Sequence, residues 1–401
     1  MTLSSGGGVF MGFHEHRKID VAYRVIHGQL GMDEAALLLQ KSYRQTRRIV
    51  AKIKAKGVLG AKHGNFGRTP VNKTEEGRKR WVLDLLREQY FDFNLTHFRE
   101  KLASDHGIQI PQETLRRWAH REGLVKRAKR SRRRAKPHRT RPRLPRAGML
   151  LQFDGSTHAW FGNRGPECCL IGGIDDATSV CSYAEFFPAE DTLSVLATLK
   201  GIVQRVGVPE VLYVDQAGHF GKHYNRKLYV DWEKHLTHVE RAMEELGCRV
   251  IFAHSPQAKG RIERMWDTFQ DRLIPELRHA GIHRIPQANA YLQEKFIPSF
   301  NQKFSVASAH KKSAYKPIPK TWRDRLEWVF CIREFRKVSL GETISWQGRT
   351  FLVCNNYGLT LKRCQIEIRT QLDGSHQAFF AGRPIQLLDI GSTEFLNRKA
   401  A

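Results

Sequence analysis

Three carboxylates in this chain have the residue type and spacing to do phosphate chemistry. Asp154 closes the apolar extended run 149–153, just before a Gly155-Ser156 turn. Asp215 closes a second short apolar run over 211–214, and Glu263 follows Ser-Pro-Gln-Ala-Lys-Gly-Arg-Ile at the opening of an amphipathic helix. A strand that ends in aspartate sets the carboxylate at a sheet rim, where solvent and a metal ion reach it. Attack on a phosphodiester needs a deprotonated oxygen nucleophile, a stabilised leaving oxygen and shielding of the phosphate charge. Two divalent ions about 3.5–4 Å apart supply all three. Hard oxygen ligands suit Mg2+ or Mn2+, two ions per site, and leave coordination places for water and phosphate. Such chemistry requires no cysteine or serine nucleophile.

The elements that must position these acids are legible around them. Ile262, Trp266, Phe269 and Leu273 repeat at helical spacing and predict a buried face, with Glu263, Asp267 and Gln270 on the adjoining polar stripe. An exposed Glu263 paired with Lys259 is the plain alternative; it accounts for that residue alone and not for its surroundings. Residues 168–174 and 180–187 read as strands joined by the turn 175–179. There Asp175 and Asp176 fit a turn better than a metal site, since aspartate favours turns. Asp191 caps a helix that stops at Gly207 and Pro209. A further helix carries Leu236, Val239, Met243 and Leu246, and 248–252 reads as a strand.

The order strand–Asp, strand–Asp, helix–Glu, with the Ser-Pro-Gln-x-Lys-Gly-Arg-x-Glu-Arg context, resembles the DDE transposases and integrases. The resemblance is nearest to the bacterial insertion-sequence transposases of the ISNCY-type group. Residues 216–220, Gln-Ala-Gly-His-Phe, resemble the Asp-Asn-Gly-x-x-Phe turn of integrase cores. The resemblance implies a ribonuclease-H-like α/β catalytic core over 148–305. In it Asp154 bridges both metals, Asp215 holds one and Glu263 the other. It further implies binding of terminal inverted repeats, hydrolysis at the element ends and transfer of the 3′-hydroxyls to target DNA. Two departures stand out. The gap between the second and third acids is long, which an extra helix around 223–246 accommodates. The basic residue expected seven positions after the glutamate is Gln270, so Lys259 and Arg261 become the candidates for contact with the DNA end.

The charge distribution agrees. The 401 residues carry a formal net charge of +27, with a pI near 10.1, which calls for a polyanionic partner. Residues 1–147 hold 34 Lys and Arg against 13 Asp and Glu, whereas the remainder is nearly balanced at 33 against 27. DNA binding therefore falls to the front half, and the expected architecture is multidomain. A first α-helical helix-turn-helix module is expected at 14–60, where Ser42 and Gln45 form a capping box. That helix turns Tyr43, Ile49, Val50 and Ile53 inward and presents Arg44, Gln45, Arg47 and Arg48 to double-stranded DNA. A Gly-rich linker follows; its Gly67-Arg68-Thr69-Pro70 resembles a minor-groove-reading arm, with Arg68 as its DNA contact, though a plain linker is the better reading of so short a stretch. A second helix-turn-helix module at 72–125 packs Trp81, Leu85, Leu86, Phe98, Leu102, Leu115 and Trp118, with Gln112, Arg116 and Arg117 facing out.

Residues 126–147 form a basic linker whose stretch 126–146 has 12 Lys and Arg and no acid. Lys129, Arg130, Arg132, Arg133 and Arg134 are its densest part, suited to tracking phosphates. After a Pro/Lys-rich connector, short alternating runs over 325–395 predict a small C-terminal SH3-like β-barrel. The seven cysteines show no metal-ligand spacing and read as reduced thiols. With no long apolar run, the chain is expected to be cytoplasmic and to work without a membrane. Joining two DNA ends to one target requires two centres, hence a homo-oligomer, at least a dimer, on paired ends. A non-catalytic DNA-binding regulator is disfavoured by the three intact acids. A nuclease without strand transfer is disfavoured by the DNA-reading front half.

Overall fold

The computed structural model describes residues 11–66, 73–125, 141–215, 236–252, 259–354, 357, 358 and 360–391. Among the expectations above, Arg68, the arm up to residue 140, the turn 216–220 and the extra segment up to 235 lie outside the described residues. The chain forms two compact units, residues 1–81 and 82–401.

The first unit contains three helices, α1 (Phe13–Ile26), α2 (Met32–Leu39) and α3 (Tyr43–Lys56). Ser42 caps α3 as expected: its hydroxyl accepts from the Gln45 amide at 3.3 Å, and its own amide donates to the Gln45 side chain at 3.4 Å. Ala22, Val50, Ile53 and Ala61 make the core. Tyr43, expected inside, is 50% exposed, and Thr46 is buried instead. Both belong to the 3-4-3 stripe with Val50 and Ile53, but Tyr43 stands on the first turn, beyond the end of this small core.

Helix α4 (Glu76–Glu88) runs across the boundary between the units, followed by α5 (Leu95–His106) and α6 (Gln112–Arg121). Val82, Leu86, Tyr90, Phe98, Leu102, Leu115 and Ala119 form their core. Trp81, expected to pack inside, is 44% exposed, because Val82, Leu85 and Leu86 already complete the apolar face.

The sheet that carries the site has the order β3-β2-β1-β4-β5. Its strands are β1 (Leu151–His158), β2 (Cys168–Asp175), β3 (Cys181–Phe187), β4 (Val211–Val214) and β5 (Arg249–Phe252). The pairs β1–β2 and β2–β3 are antiparallel, while β1–β4 and β4–β5 are parallel. An antiparallel meander continued by parallel crossover strands is a ribonuclease-H-like α/β core. Every residue of β2 is buried, and its side chains alternate between two layers, as period-2 geometry requires. Cys169 and Ile171 pack with α7 (Thr192–Val206) and α8 (His238–Glu245). Cys168, Leu170 and Ile174 pack with α9 (Gly260–His279), α10 (Ile285–Tyr291) and α11 (Ile297–Phe304). Asp191 caps α7, accepting from the Ser194 amide at 2.7 Å.

Helix α5 and the segment before it dock on α9 through ion pairs, beside a stack of Tyr90 on His279 at 4.6 Å. Glu100 accepts from Arg272 at 2.6 Å, and Asp92 from Arg278 at 2.7 Å; His97 lies 2.7 Å from Glu276. Burial alone would raise the Glu276 pKa. Hydrogen bonds from His97 and Tyr291 and the Lys101 ammonium outweigh it and hold the value at about 2. A carboxylate with a depressed folded-state pKa stabilises the fold above its ordinary value of 4.5. That contribution is lost as pH falls from there toward about 2. Glu276→Gln is therefore expected to weaken this docking by about 3 kcal/mol at neutral pH, seen as faster amide hydrogen exchange throughout α5. Unchanged exchange would show that the ion pairs do not hold the helix.

The C-terminal part begins with the short helix α12 (Leu326–Val329). It continues as a six-stranded, barrel-like sheet of order β6-β9-β10-β11-β8-β7. The strands are β6 (Ile332–Lys337), β7 (Thr343–Trp346), β8 (Arg349–Cys354), β9 (Gln365–Thr370), β10 (His376–Phe380) and β11 (Arg383–Asp389). Gln347 and Gly348, at φ 47° and 72°, make the tight β7–β8 turn, which needs two positive φ angles.

Candidate active site

The β1–β4 pairing sets Leu151 beside Leu212 and Gln152 beside Tyr213. That offset of 61 residues is also the separation of Asp154 and Asp215, so the register that closes the sheet brings the two acids level. Asp154 does not close its strand as expected: Gly155 and Ser156 are paired strand, since the ladder with β2 continues to His158, and Asp154 stands mid-strand opposite Gly172, where a neighbour without a side chain leaves room. Asp215 follows β4 directly.

Lys259, the residue before α9, joins them. Its ammonium is buried, 2.7 Å from Asp154 Oδ1 and 3.9 Å from Asp215 Oδ2. The Asp154 side chain keeps 22% of its exposure and that of Asp215 45%. Burial pushes the Asp154 pKa up; Lys259 opposes this, while the charges of Asp215 and Glu190 add to it. The Glu190 carboxylate lies so close to Gly155 that a Cβ there would collide with it. Asp154, Glu190 and Lys259 thus gather around the middle of β1, with Asp215 just past the end of β4.

Glu263 is exposed on the first turn of α9. Lys259 pairs with the aspartates rather than with it. Among the described residues no three acidic, histidine or cysteine side chains stand close enough to hold a metal together. The geometry therefore unites Asp154 and Asp215 and leaves Glu263 outside that pair. The start of α9 is tied to β1 by Gln152, which accepts from the Ile262 amide at 3.2 Å. Gln270 lies 3.4 Å from the Ser156 hydroxyl, a second tie between helix and strand.

No family model matches the chain. Over 350 residues it is 34% identical to the "Putative transposase y4bF" of Sinorhizobium fredii, covering 87% of this chain and 75% of that protein. The chain belongs to the transposase family. It is also 28% identical to the transposase for insertion sequence IS1202 of Streptococcus pneumoniae, over 84% of this chain and 78% of the relative. Among solved structures, the integrase catalytic core domain of HTLV-2 in complex with magnesium aligns at 12% identity and a TM-score of 0.29, covering 41% of this chain and 92% of that one. A simian T-cell lymphotropic virus intasome chain aligns at 13% and 0.31, over 72% and 98%. The fold of the transposase core rests on its strand order and register.

Asp175 and Asp176 of the transposase stand at the β2–β3 turn, as expected. Both are buried and engaged in hydrogen bonds and ion pairs. Asp175 accepts from the Gly148 amide at 2.7 Å and from the Thr178 amide and hydroxyl at 2.9 and 2.8 Å. Asp176 accepts from Arg141, from the Leu144 amide at 3.1 Å and from Gln152 at 3.1 Å, and it pairs with Arg261 at 3.0 Å. Arg261 thus turns inward, as does Lys259. Arg44, Gln45, Arg47 and Arg48 are exposed along α3. On α6, Arg116 is exposed but paired with Glu113 at 2.8 Å; Arg117 is exposed, and Gln112 donates to Thr96 at 3.2 Å. Lys129, Arg130, Arg132, Arg133 and Arg134 lie outside the described residues.

Sequence reasoning missed Gln152, Glu190 and the joint pairing of Lys259. A glutamine inside an apolar strand was the one signal available for the first. All seven cysteines are free, and burial pushes the Cys168 and Cys169 thiols up to about 11, which keeps them protonated. Among the described residues no helix is long and apolar enough to cross a membrane.

Proposed function

We propose that this transposase cuts the ends of its element and joins the 3′-hydroxyls to target DNA, with Asp154, Asp215 and Glu263 as its catalytic acids. The observation that carries the reading is the convergence of Asp154 and Asp215 on one buried cation, the Lys259 ammonium. A place where two carboxylates already gather positive charge suits Mg2+ or Mn2+, whose preferred ligands are oxygens. Glu263, one turn along the same helix from Lys259, is assigned the third position. Two such ions, when bound, polarise the phosphate, activate the attacking oxygen and stabilise the leaving one. The chain's own residues do the rest. Gln152 and Gln270 hold α9 along β1, and Lys259 holds the aspartates together until the ions and DNA arrive.

The exposed Arg44, Gln45, Arg47 and Arg48 on α3, with Gln112, Arg116 and Arg117 on α6, are assigned to reading the terminal repeats as two helix-turn-helix modules. Arg68 and the run from Lys129 to Arg134 are assigned to phosphates. Because one chain supplies one set of acids, an oligomer of at least two chains is assigned to the paired ends. The test is direct. The purified chain should nick DNA at the element ends in Mg2+ and stop when the metal is chelated; cleavage that persists in chelator would overturn the reading.

Lys259 gives a second check. Its ammonium occupies the neighbourhood a metal must enter, so Lys259→Met should tighten Mg2+ binding on the order of tenfold by removing a like charge. Calorimetric titration of the DNA-free chain measures this. Weaker binding would mean that Lys259 orients the acids more than it competes with the metal.

A further inference from the structure

Beside α9 lies an open cavity of about 240 Å³, bounded by α9, α11 and the β2–β3 turn. Its apolar lining includes Met265 and Phe300, both buried. Phe304 lies at its edge, 37% exposed and braced by the Arg272 guanidinium 5.0 Å from the ring centre. The other boundary is cationic, made by Arg143, Arg261 and Arg264.

These guanidinium groups are unequally neutralised. Arg261 has the buried Asp176 as partner and shares it with Arg141. Arg143 donates only to the carbonyls of Asp176 and Ala177 and to the Ser179 hydroxyl. Arg264 donates only to the carbonyl of Gly260 within its own helix. Neither has a carboxylate partner among the described residues. An apolar recess bordered by two uncompensated arginines suits a ligand that joins a flat ring to an anionic group. Arg141 and Arg143 also belong to the basic run 126–146.

We propose that the cavity holds one unpaired nucleotide of the DNA strand flanking the cleaved end, its base against Met265, Phe300 and Phe304 and its phosphate against Arg143 and Arg264. The proposal rests on the DNA-cutting reading above. A base held in a duplex cannot enter such a recess, whereas an unpaired one stacks on an aromatic ring without regard to sequence. The pocket therefore favours ends whose flank is frayed, and it gives the strand beside the cut a fixed place next to the helix that carries Glu263.

The test uses the full chain and duplexes bearing the terminal repeat. One has a fully paired flank; the other has three unpaired flanking nucleotides with 2-aminopurine among them. Wild type should bind the unpaired flank roughly tenfold tighter and change the 2-aminopurine emission on binding. Phe304→Ala, a partly exposed position at the end of α11, should abolish both the preference and the emission change. Arg264→Ala, on the surface, should weaken binding of the unpaired flank and reduce its salt dependence by about one charge. Wild type that cuts both duplexes but shows no preference overturns the pocket and leaves the transposase reading standing, as does a preference that survives both substitutions. Failure to bind or cut either duplex overturns the reading and the pocket with it.

Discussion

Asp154→Asn, Asp215→Asn and Glu263→Gln should each lower DNA cleavage by roughly 10³-fold or more. Each removes several kcal/mol of charge stabilisation from the metal-assisted step, and every 1.36 kcal/mol is tenfold. Affinity for the terminal repeat should stay within about twofold, because the residues assigned to reading it lie on α3 and α6. The substitutions keep side-chain shape, so folding should survive. Asn at 154 removes a charge that burial penalises but also strips Lys259 of its nearer partner; these effects oppose one another. Glu263 is exposed, and Gln there costs the fold little. Wild-type cleavage by any one variant in Mg2+ would remove that residue from the site.

The second large effect is on binding. A protein that neutralises about 6–10 phosphates loses roughly 10³–10⁵ in affinity between 50 and 200 mM salt, through release of condensed counterions. With 12 Lys and Arg in residues 126–146 alone, this chain should fall in that range. Changing Lys129, Arg130, Arg132, Arg133 and Arg134 to Ala should flatten the logarithmic salt slope by about four, at 0.9 per phosphate contact. The loss should be nearly the same for specific and unrelated DNA, since phosphate contacts carry no sequence information. A salt dependence already shallow in the wild type would contradict phosphate tracking by the arm.

What the sequence disclosed and what it hid follow from the range of the forces involved. Local rules are written locally. The Ser42 capping box, the Asp191 cap and the strand that stops before Asp215 each depend on a few neighbouring residues, and the structure has them where the pattern put them; Asp154 instead lies inside β1, because pairing with β2 carries that strand on to His158. The level placement of Asp154 and Asp215 needed only the register of two parallel strands. Stripe ends were harder. Tyr43 and Trp81 satisfy helical spacing but stand where the core stops, and periodicity does not report how far a core extends. Long-range polar pairing was not legible at all. Nothing near Asp176 in sequence announces Arg141 or Arg261, and the ion pairs between α5 and α9 join residues more than 170 positions apart. A charged residue reads as a solvated one until its partner is known, so Lys259 and Arg261 read as contacts for the DNA end when their carboxylates were in the core fold.

The central claim is that the 3′-hydroxyl of the element end attacks target DNA in one in-line step at the site built from Asp154, Asp215 and Glu263. The most direct measurement follows the configuration at phosphorus when the full chain joins an element end to a target carrying a chiral phosphorothioate. One displacement by the DNA hydroxyl inverts that centre, and inversion is the result expected here, with no joined product from the Glu263→Gln chain. Retention of configuration would require two displacements through a protein–DNA covalent intermediate and would contradict the account.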